Sequence, residues 1–278
     1  MTKKSIMKYF IILAFLGFSN GVTAQDFIQI NGNKIHYEKK GKHGPTVILV
    51  PGYGGILSDF DPVFDSLTKL TTVIRYSRAG LGKSTYETNN KSFENIVEEL
   101  ESLIETLKVP QPFILVGHSF GGLIIRAFAK RHPEKVCGLL FDDSTFEDYF
   151  EILKPIEVNA EEIELKAHSS YNQNKPTDDE FKVLWDIWHS PTSWEKLFEP
   201  MPSIPTVVLT SMKVSKSSLR TSKQLMNARY LAHSRWTKNK PFSMQIGLTN
   251  SGHYIQEDTP SIFIESVRML LNVIRDEK

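Results

Sequence analysis

The sequence predicts an α/β fold, with a doubly wound, mostly parallel sheet and helices on both of its faces. Short apolar runs of strand length alternate with segments of helical composition, which is typical of parallel strands joined by helical crossovers. One such run, residues 112–116, leads into a glycine-flanked turn at residues 117–121, and helical composition then continues to residue 131. The chain has 278 residues, enough for one large domain of this class with an insertion.

The first predicted elements are a hairpin and two buried strands. Residues 27–30 and 34–37 alternate in polarity on either side of Asn31-Gly32-Asn33. Asn-Gly between such runs is a strong signal for a hairpin turn. Residues 46–50 are the first candidate for a buried parallel strand, and residues 72–76 are the next predicted strand.

The clearest predicted helix covers residues 92–107, with Ser92 as a suitable N-cap. Its apolar residues recur at helical spacing on one face, which predicts burial of that face. They are Phe93, Ile96, Val97, Leu100, Leu103, Ile104 and Leu107. Further strands are predicted at residues 136–141, 206–209 and 242–246. A closing helix is predicted to begin near Pro260.

The interval between Asp143 and Thr206 has helical composition and no convincing strand. Connections in α/β units are normally short, so we interpret residues 144–204 as a helical lid insertion. It is rich in large aromatic residues: Tyr149, Tyr171, Trp185, Trp188 and Trp194. Two interpretations stay open, because these rings could pack the insertion on the main domain or wall an apolar pocket above the sheet.

The first 24 residues have the pattern of a secretory signal peptide. Three lysines precede the apolar run of residues 9–18, and small residues precede an expected cleavage after Ala24. A membrane anchor is the alternative, but the run is short for a bilayer span. We therefore expect a mature domain, residues 25–278, that is secreted or periplasmic and has no stable membrane anchor.

The composition is ordinary for a globular protein, with 40% hydrophobic and 23% charged residues and a formal net charge of +1. Loss of the signal segment with its three lysines would change that charge to −2. Neither value supports a nucleic-acid partner. Cys137 is the single cysteine, which excludes an intramolecular disulfide, and no Cys/His cluster predicts a metal site.

Ser119 is the candidate nucleophile. A serine between glycines, at a sharp turn from strand to helix, presents its hydroxyl at the edge of the sheet. Glycine is needed at positions 117 and 121 because a side chain there would meet neighbouring backbone. The alternative is a glycine-rich turn that contains an incidental serine. Serine is a weak nucleophile, so the first interpretation requires a nearby base.

His253 is the candidate base among eight histidines. Loops at the carboxyl ends of parallel strands face one crevice, and His253 follows the last predicted strand. It also completes the chain order nucleophile, acid, base. The other histidines are assigned to the hairpin, to loops, to the turn or to surface and lid helices: His36, His43, His118, His132, His168, His189 and His233. The candidate oxyanion donors are the backbone N–H groups of Tyr53 and Phe120.

These motifs resemble the α/β-hydrolase superfamily over residues 27–274. Residues 51–54, Pro-Gly-Tyr-Gly, look like the family's oxyanion loop, with proline where histidine is commoner. Residues 75–84 are similar to its "Y-D-R-A-G-x-G-x-S" segment, with serine where aspartate is usual. Residues 251–256 resemble the loop that carries the catalytic histidine.

The acid departs from the usual family pattern. Many members take it from the loop after the penultimate strand, here residues 209–213, but no acidic residue lies between Glu199 and Glu257. Some relatives place it one strand earlier, in a segment resembling "L-V-D-P", and that match falls on Asp143. Asp142 and the absence of a functional acid stay open as alternatives.

The same acid-free interval is rich in basic residues: Lys213, Lys216, Arg220, Lys223, Arg229, Arg235, Lys238 and Lys240. They form either a solvated helix face or a rim that attracts anionic substrates.

The residues and the resemblance together predict a carboxylesterase-like serine hydrolase with a Ser119-His253-Asp143 triad. Its expected substrate is an ester, thioester or amide of a small, largely apolar molecule, and no cofactor or metal is expected. Haloalkane dehalogenases and epoxide hydrolases resemble it in fold but use aspartate as nucleophile, so Ser119 argues against both. The alternatives are a non-catalytic ligand-binding relative and an aminopeptidase-like member of the fold.

Overall fold

The computed structural model describes residues 26–87, 91–170, 175–190, 194–214, 222–238 and 240–276. The predicted signal peptide and its cleavage site lie outside these ranges, as do Tyr171, Lys216 and Arg220. The strands of the described ranges are β1 (Asp26–Ile30), β2 (Asn33–Lys40), β3 (Val47–Val50), β4 (Val73–Tyr76), β5 (Phe113–His118), β6 (Val136–Asp142), β7 (Thr206–Ser211) and β8 (Ser243–Leu248).

The helices of the same ranges are α1 (Asp61–Thr68), α2 (Phe93–Thr106), α3 (Phe120–Arg131), α4 (Tyr149–Leu153), α5 (Ala160–Ser169), α6 (Lys175–Trp188), α7 (Trp194–Phe198), α8 (Lys223–Ser234), α9 (Ile255–Asp258) and α10 (Pro260–Asp276). Short 3-10 helices cover Leu57–Phe60, Pro133–Lys135 and Arg235–Thr237. No helix within the described ranges is long and apolar enough to cross a membrane.

The described strands form one sheet in the order β1-β2-β4-β3-β5-β6-β7-β8. β1 pairs antiparallel with β2, and β2 with β4, whereas every pair from β4 to β8 is parallel. The predicted hairpin turn has φ of 48° at Asn31 and 82° at Gly32, the left-handed values that these two residue types tolerate. The prediction of a doubly wound, mostly parallel α/β sheet is confirmed.

Helices cover both faces of the sheet and divide the core into two layers. The buried residues of α2 and α3 belong to one layer, and those of α1 and α10 belong to the other. α2 begins as predicted, because the Ser92 hydroxyl accepts a hydrogen bond of 3.1 Å from the Asn95 N–H. Its periodic apolar face is buried, and the parallel strands beneath it are buried throughout.

The insertion between β6 and β7 consists of α4 to α7, without a strand in its described part. The Trp188 ring stacks on Tyr149 at 4.7 Å between centroids, and its indole N–H donates to the Phe146 carbonyl at 3.1 Å. Trp185 is half-buried against Phe150. The aromatic residues therefore pack the insertion together and join the main core, and Trp188 also lines a cavity described below.

Helix α3 packs closely against the sheet because Gly117 of β5 and Gly121 of α3 have no side chain. A Cβ atom at Gly121 would lie 2.3 Å from the Val50 carbonyl oxygen, and one at Gly117 would lie 2.6 Å from the Gly121 backbone. Backbone atoms cannot move aside as side-chain ends can. Gly117 and Gly121 therefore allow the close backbone packing that was predicted from the sequence.

We expect Gly121→Ala to destabilise the fold by about 2–3 kcal/mol, since α3 must move away from β3. The matched control is Gly138→Ala in β6, where the new Cβ would meet only the flexible end of Ile274, at 3.0 Å. Urea denaturation of both variants checks the prediction. Equal stability of the two variants would contradict the packing argument.

Candidate active site

Four loops at the carboxyl edge of the sheet bring the predicted site residues together. Ser119 joins β5 to α3, Asp143 follows β6, His253 follows β8, and Tyr53 lies in the loop after β3. Ser119, His253 and Tyr53 line one cavity of about 100 Å³. Loops that follow parallel strands meet at this edge, which is why residues so distant in sequence become neighbours.

Ser119 has a strained backbone, with φ 50° and ψ −119°. Such a conformation is rare for a residue with a Cβ and is retained only where the surroundings fix it. Its N–H donates to the Asp142 carbonyl at 3.0 Å, and its carbonyl accepts from Gly122 and Thr145, each at 3.0 Å. The hydroxyl makes no capping bond to α3, so it is not tied up by the helix it precedes.

Asp143 reaches the imidazole of His253, with 2.7 Å between Oδ2 and Nδ1. The Asp143 side chain is fully buried, whereas that of His253 is 43% exposed. The other carboxylate oxygen, Oδ1, accepts a hydrogen bond of 2.9 Å from the Ser211 N–H. An ionised Asp143 accepts a hydrogen bond from Nδ1–H of His253, which leaves the lone pair of the imidazole on Nε2, the nitrogen that a base would use.

Arg229 of α8 is a further partner of Asp143, with Nη1 2.9 Å from Oδ2. Burial by itself would raise the pKa of Asp143, but the Arg229 charge and the bond from His253 outweigh it and hold that pKa well below its usual range. Asp143 is therefore ionised at neutral pH.

The described basic residues after β7 do not form a uniformly solvated face. Arg229 contacts Asp143, Arg235 pairs with Asp148 at 2.7 Å, and Lys240 donates to the Pro202 carbonyl. A solvated helix face is therefore the wrong interpretation for Arg229, whereas Arg235 is exposed although it is paired.

Asp142 does not contact His253 through any bond in the described ranges. Adjacent residues of a strand point to opposite faces, and its carboxyl is buried with no hydrogen-bond partner among the described residues. Burial and the neighbouring Asp143 raise the pKa of Asp142 well above its ordinary value, which favours the neutral form of its carboxyl. Of the two candidates, only Asp143 lies beside the imidazole.

His118 supports the loop of His253 from the turn that holds Ser119. Its Nε2 donates to the His253 carbonyl at 2.9 Å, and the two rings are 4.7 Å apart. Burial lowers the pKa of His118 to about 3, so the ring is neutral. The imidazole inside the turn is thus a brace for the base.

Two other histidines lie in unexpected surroundings. His233 was assigned to a helix surface or the lid, but it is fully buried between the Thr210 hydroxyl at 2.8 Å and the Ser144 carbonyl at 2.7 Å. That assignment is wrong, because α8 packs this face against β7. His168 of α5 lines the cavity, bonds the Tyr53 hydroxyl and stacks on Phe181.

Of the two candidate oxyanion donors, Tyr53 lines the cavity, and Phe120 directly follows the cavity residue Ser119. Phe120 opens α3, and N–H groups in the first turn of a helix have no acceptor within the helix. The loop containing Tyr53 is fixed by Arg78 and by Glu180 of α6. Glu180, like Arg229 and the brace role of His118, was not predicted from the sequence.

The cavity wall combines apolar and polar groups. Helix α6 supplies Phe181, Leu184 and Trp188, whereas Asp59 and the buried Glu164 add carboxyl groups. Burial raises the pKa of Asp59. Within the described ranges, no group of three or more His, Cys, Asp or Glu side chains has the geometry to hold a metal ion.

Comparison with known proteins agrees with this architecture. The model of the family described as alpha/beta hydrolase fold matches residues 45–245. The uncharacterized protein YqjL of Bacillus subtilis (strain 168) is 26% identical over 240 residues, which are 84% of this chain and 86% of that protein.

Two solved structures are similar in fold. A thermophilic esterase from Thermogutta terrifontis superposes with a TM-score of 0.62 and 18% identity, over 89% of this chain and 97% of that chain. Est816, described as an N-acyl homoserine lactone degrading enzyme, superposes with a TM-score of 0.60 and 19% identity, over 87% of this chain and 99% of that chain. The family match spans more than half of the sequence and agrees with the sheet, so the chain belongs to the alpha/beta hydrolase fold family and is an α/β-fold hydrolase.

Proposed function

We propose that this protein is an exported serine hydrolase that cleaves an ester, thioester or amide bond through a Ser119-His253-Asp143 triad. The observation that carries the proposal is the 2.7 Å contact between Asp143 Oδ2 and His253 Nδ1. His253 lines the same cavity as Ser119. The strained turn at Ser119 supports it further. Export rests on the residue pattern of the first 24 positions alone.

In the first half of the reaction, the Ser119 oxygen attacks the substrate carbonyl while His253 Nε2 takes the hydroxyl proton. Asp143 stabilises the imidazolium that forms. The N–H groups of Tyr53 and Phe120 donate to the oxyanion of the tetrahedral intermediate. The bond to the leaving group then breaks, the leaving group takes the proton from Nε2, and an acyl-enzyme remains.

In the second half, His253 takes a proton from water, and the resulting hydroxide attacks the acyl carbonyl. The bond to the Ser119 oxygen breaks, and that oxygen recovers its proton from Nε2. Atoms and charges balance with water as the only co-reactant, so the proposed reaction calls for no cofactor.

The size of the cavity favours a small acyl group. At about 100 Å³ it is smaller than the roughly 300–1,000 Å³ of drug-sized ligand sites. Phe181, Leu184 and Trp188 suit a largely apolar chain. The carboxyl groups of Asp59 and Glu164 suit a polar substituent near the scissile bond.

Those carboxyl groups favour a second candidate function. An aminopeptidase-like enzyme needs an acidic group to bind the free amine of its substrate, and Glu164 is a buried carboxyl on the cavity wall. It accepts a hydrogen bond of 2.7 Å from the Tyr149 hydroxyl. The two candidate functions use the same triad and differ in the substrate group that would contact Glu164.

A labelling experiment tests the proposal. We expect a fluorophosphonate probe to label the wild-type protein and not Ser119→Ala, because only an activated serine attacks phosphorus at a useful rate. Turnover of p-nitrophenyl acetate and of an aminoacyl p-nitroanilide then separates the esterase from the aminopeptidase. A folded wild-type protein that resists the probe would favour the non-catalytic ligand-binding alternative.

We expect Asp143→Asn to lower kcat about 1,000- to 10,000-fold, since an amide favours the wrong imidazole tautomer. It should also lower stability, because Arg229 would keep its buried contact without a charge to pair with. Asp142→Asn is the matched control and should change kcat little, because the Asp142 carboxyl makes no hydrogen bond to His253 within the described ranges. Steady-state kinetics of both variants test this prediction, and near-normal turnover by Asp143→Asn would contradict the assignment of Asp143 as the acid of the triad.

We expect Arg229→Met to lower the free energy of unfolding at neutral pH by about 3 kcal/mol, because the buried Asp143 carboxylate loses its main counter-charge. Arg229 holds the pKa of Asp143 below its usual range, so this loss of stability should shrink as the pH falls below about 4, where the carboxyl is protonated in the unfolded chain. The control is Arg235→Met, which removes an equal charge from the more exposed pair with Asp148. Urea denaturation at pH 7 and pH 3 checks the prediction, and equal losses in both variants would mean that net charge, rather than the contact with Asp143, sets the effect.

A further inference from the structure

A buried ion pair lies beside the loop that follows β3. The side chains of Arg78 and Glu180 are 1% and 0% exposed, with Nε 2.7 Å from Oε1 and Nη2 3.0 Å from Oε2. Lys91 also contacts Glu180, at 2.9 Å. Burial would raise the pKa of Glu180, but the two cations hold it below its usual range.

Both members of the pair also bind the backbone of the loop. Arg78 Nη1 donates to the Pro51 carbonyl at 2.6 Å, and Nη2 donates to the Gly52 carbonyl. Glu180 Oε2 accepts from the Gly54 N–H at 3.0 Å. One ion pair thus fixes three residues of the loop that contains Tyr53.

These contacts determine where the Tyr53 N–H points. It shares a planar peptide with the Gly52 carbonyl, and in a trans peptide the two groups point in opposite directions. The Gly52 carbonyl is held by Arg78 and also accepts from the Gly55 N–H at 3.1 Å. The Tyr53 N–H is therefore directed away from Arg78. Gly52 and Tyr53 both line the cavity that Ser119 also lines.

Contacts other than the ion pair also dock α6. Asp179 accepts a hydrogen bond of 2.6 Å from the Tyr86 hydroxyl, Pro176 packs against Gly80, and the apolar face of the helix joins the main core. A fully buried ion pair adds little net stability, because the desolvation of both charges offsets their attraction. Attachment of the insertion alone is therefore a poor explanation for Glu180.

We propose that the Arg78–Glu180 pair is a positioning device that aims the Tyr53 N–H at the oxyanion formed on Ser119. Helix α6 of the insertion is then part of the catalytic apparatus as well as a wall of the cavity. The effect on rate rests on the proposed hydrolase function, whereas the effect on the loop is measurable without turnover.

The test compares two neighbouring carboxylates of α6. Glu180→Gln removes the charge that orders Arg78, whereas the control Asp179→Asn removes an equal charge that does not touch the loop. We expect Glu180→Gln to lower kcat for p-nitrophenyl acetate about 10- to 100-fold with little change in KM, since an oxyanion donor acts mainly in the transition state. Labelling by the fluorophosphonate should slow by a similar factor.

Hydrogen–deuterium exchange over residues 51–55 gives the second measurement. Exchange should speed up in Glu180→Gln and stay at the wild-type rate in Asp179→Asn. Should Glu180→Gln fail to fold, Arg78→Lys replaces it. This change keeps the positive charge beside Glu180 but cannot donate to both loop carbonyls in the fixed fork of a guanidinium.

The outcomes separate the two proposals. The positioning role would be supported if Glu180→Gln or Arg78→Lys turns over substrate and reacts with the probe more slowly, and exchanges residues 51–55 faster, while Asp179→Asn does not. Equal effects in Asp179→Asn, a rise in KM with unchanged kcat, or unchanged loop exchange would overturn it. A wild-type protein that the probe does not label would overturn the hydrolase proposal instead, and the exchange measurement would still decide whether the pair holds the loop.

Discussion

A carboxylate removed from water is stable only beside positive charge and hydrogen-bond donors, and this requirement organises the candidate site. The fully buried Asp143 lies between the Arg229 guanidinium and the His253 imidazole, and the fully buried Glu180 lies between Arg78 and Lys91. Transfer of each ion out of water costs several kcal/mol unless such partners are present. Because these partners come from helices and loops far apart in sequence, the contacts that offset this cost also join α8 and α6 to the loops at the carboxyl edge of the sheet.

The loops that carry the nucleophile and the acid are also braced against each other. Ser119 and Asp143 both have positive φ, at 50° and 39°, and strain of this kind costs about 1–3 kcal/mol per residue. The Ser119 N–H bonds the carbonyl of Asp142, and its carbonyl accepts from Thr145. The relative position of hydroxyl and carboxylate is therefore set by backbone hydrogen bonds, which side-chain substitutions leave intact.

Much of this arrangement could be predicted from the sequence because the signals are local. Apolar runs gave the strands, glycine spacing gave the turn at Ser119, and the rule for carboxyl edges selected His253. The choice between Asp142 and Asp143 needed the register of β6, which a continuous apolar run does not determine. The size and polarity of the cavity depend on how the helices of the insertion pack, and no local pattern encodes that packing.

The partners of the buried carboxylates were missed for a different reason. Glu180 lies three and four residues before the buried Val183 and Leu184, and Arg229 lies three and four residues after the buried Met226 and Leu225. A charge on the apolar face of a helix predicts burial with a counter-charge. The pattern does not identify that counter-charge, since the partner is on another element.

The exposure of His253 has a consequence for selectivity. Its side chain is 43% exposed, whereas helices α5 and α6 of the insertion supply much of the cavity wall. In the proposed reaction, we place the acyl group in the cavity and the leaving group on the exposed side of His253. Discrimination therefore falls on the acid portion of the substrate. Solvent reaches the acyl-enzyme without any rearrangement of the helices, which favours hydrolysis over transfer to another alcohol or amine.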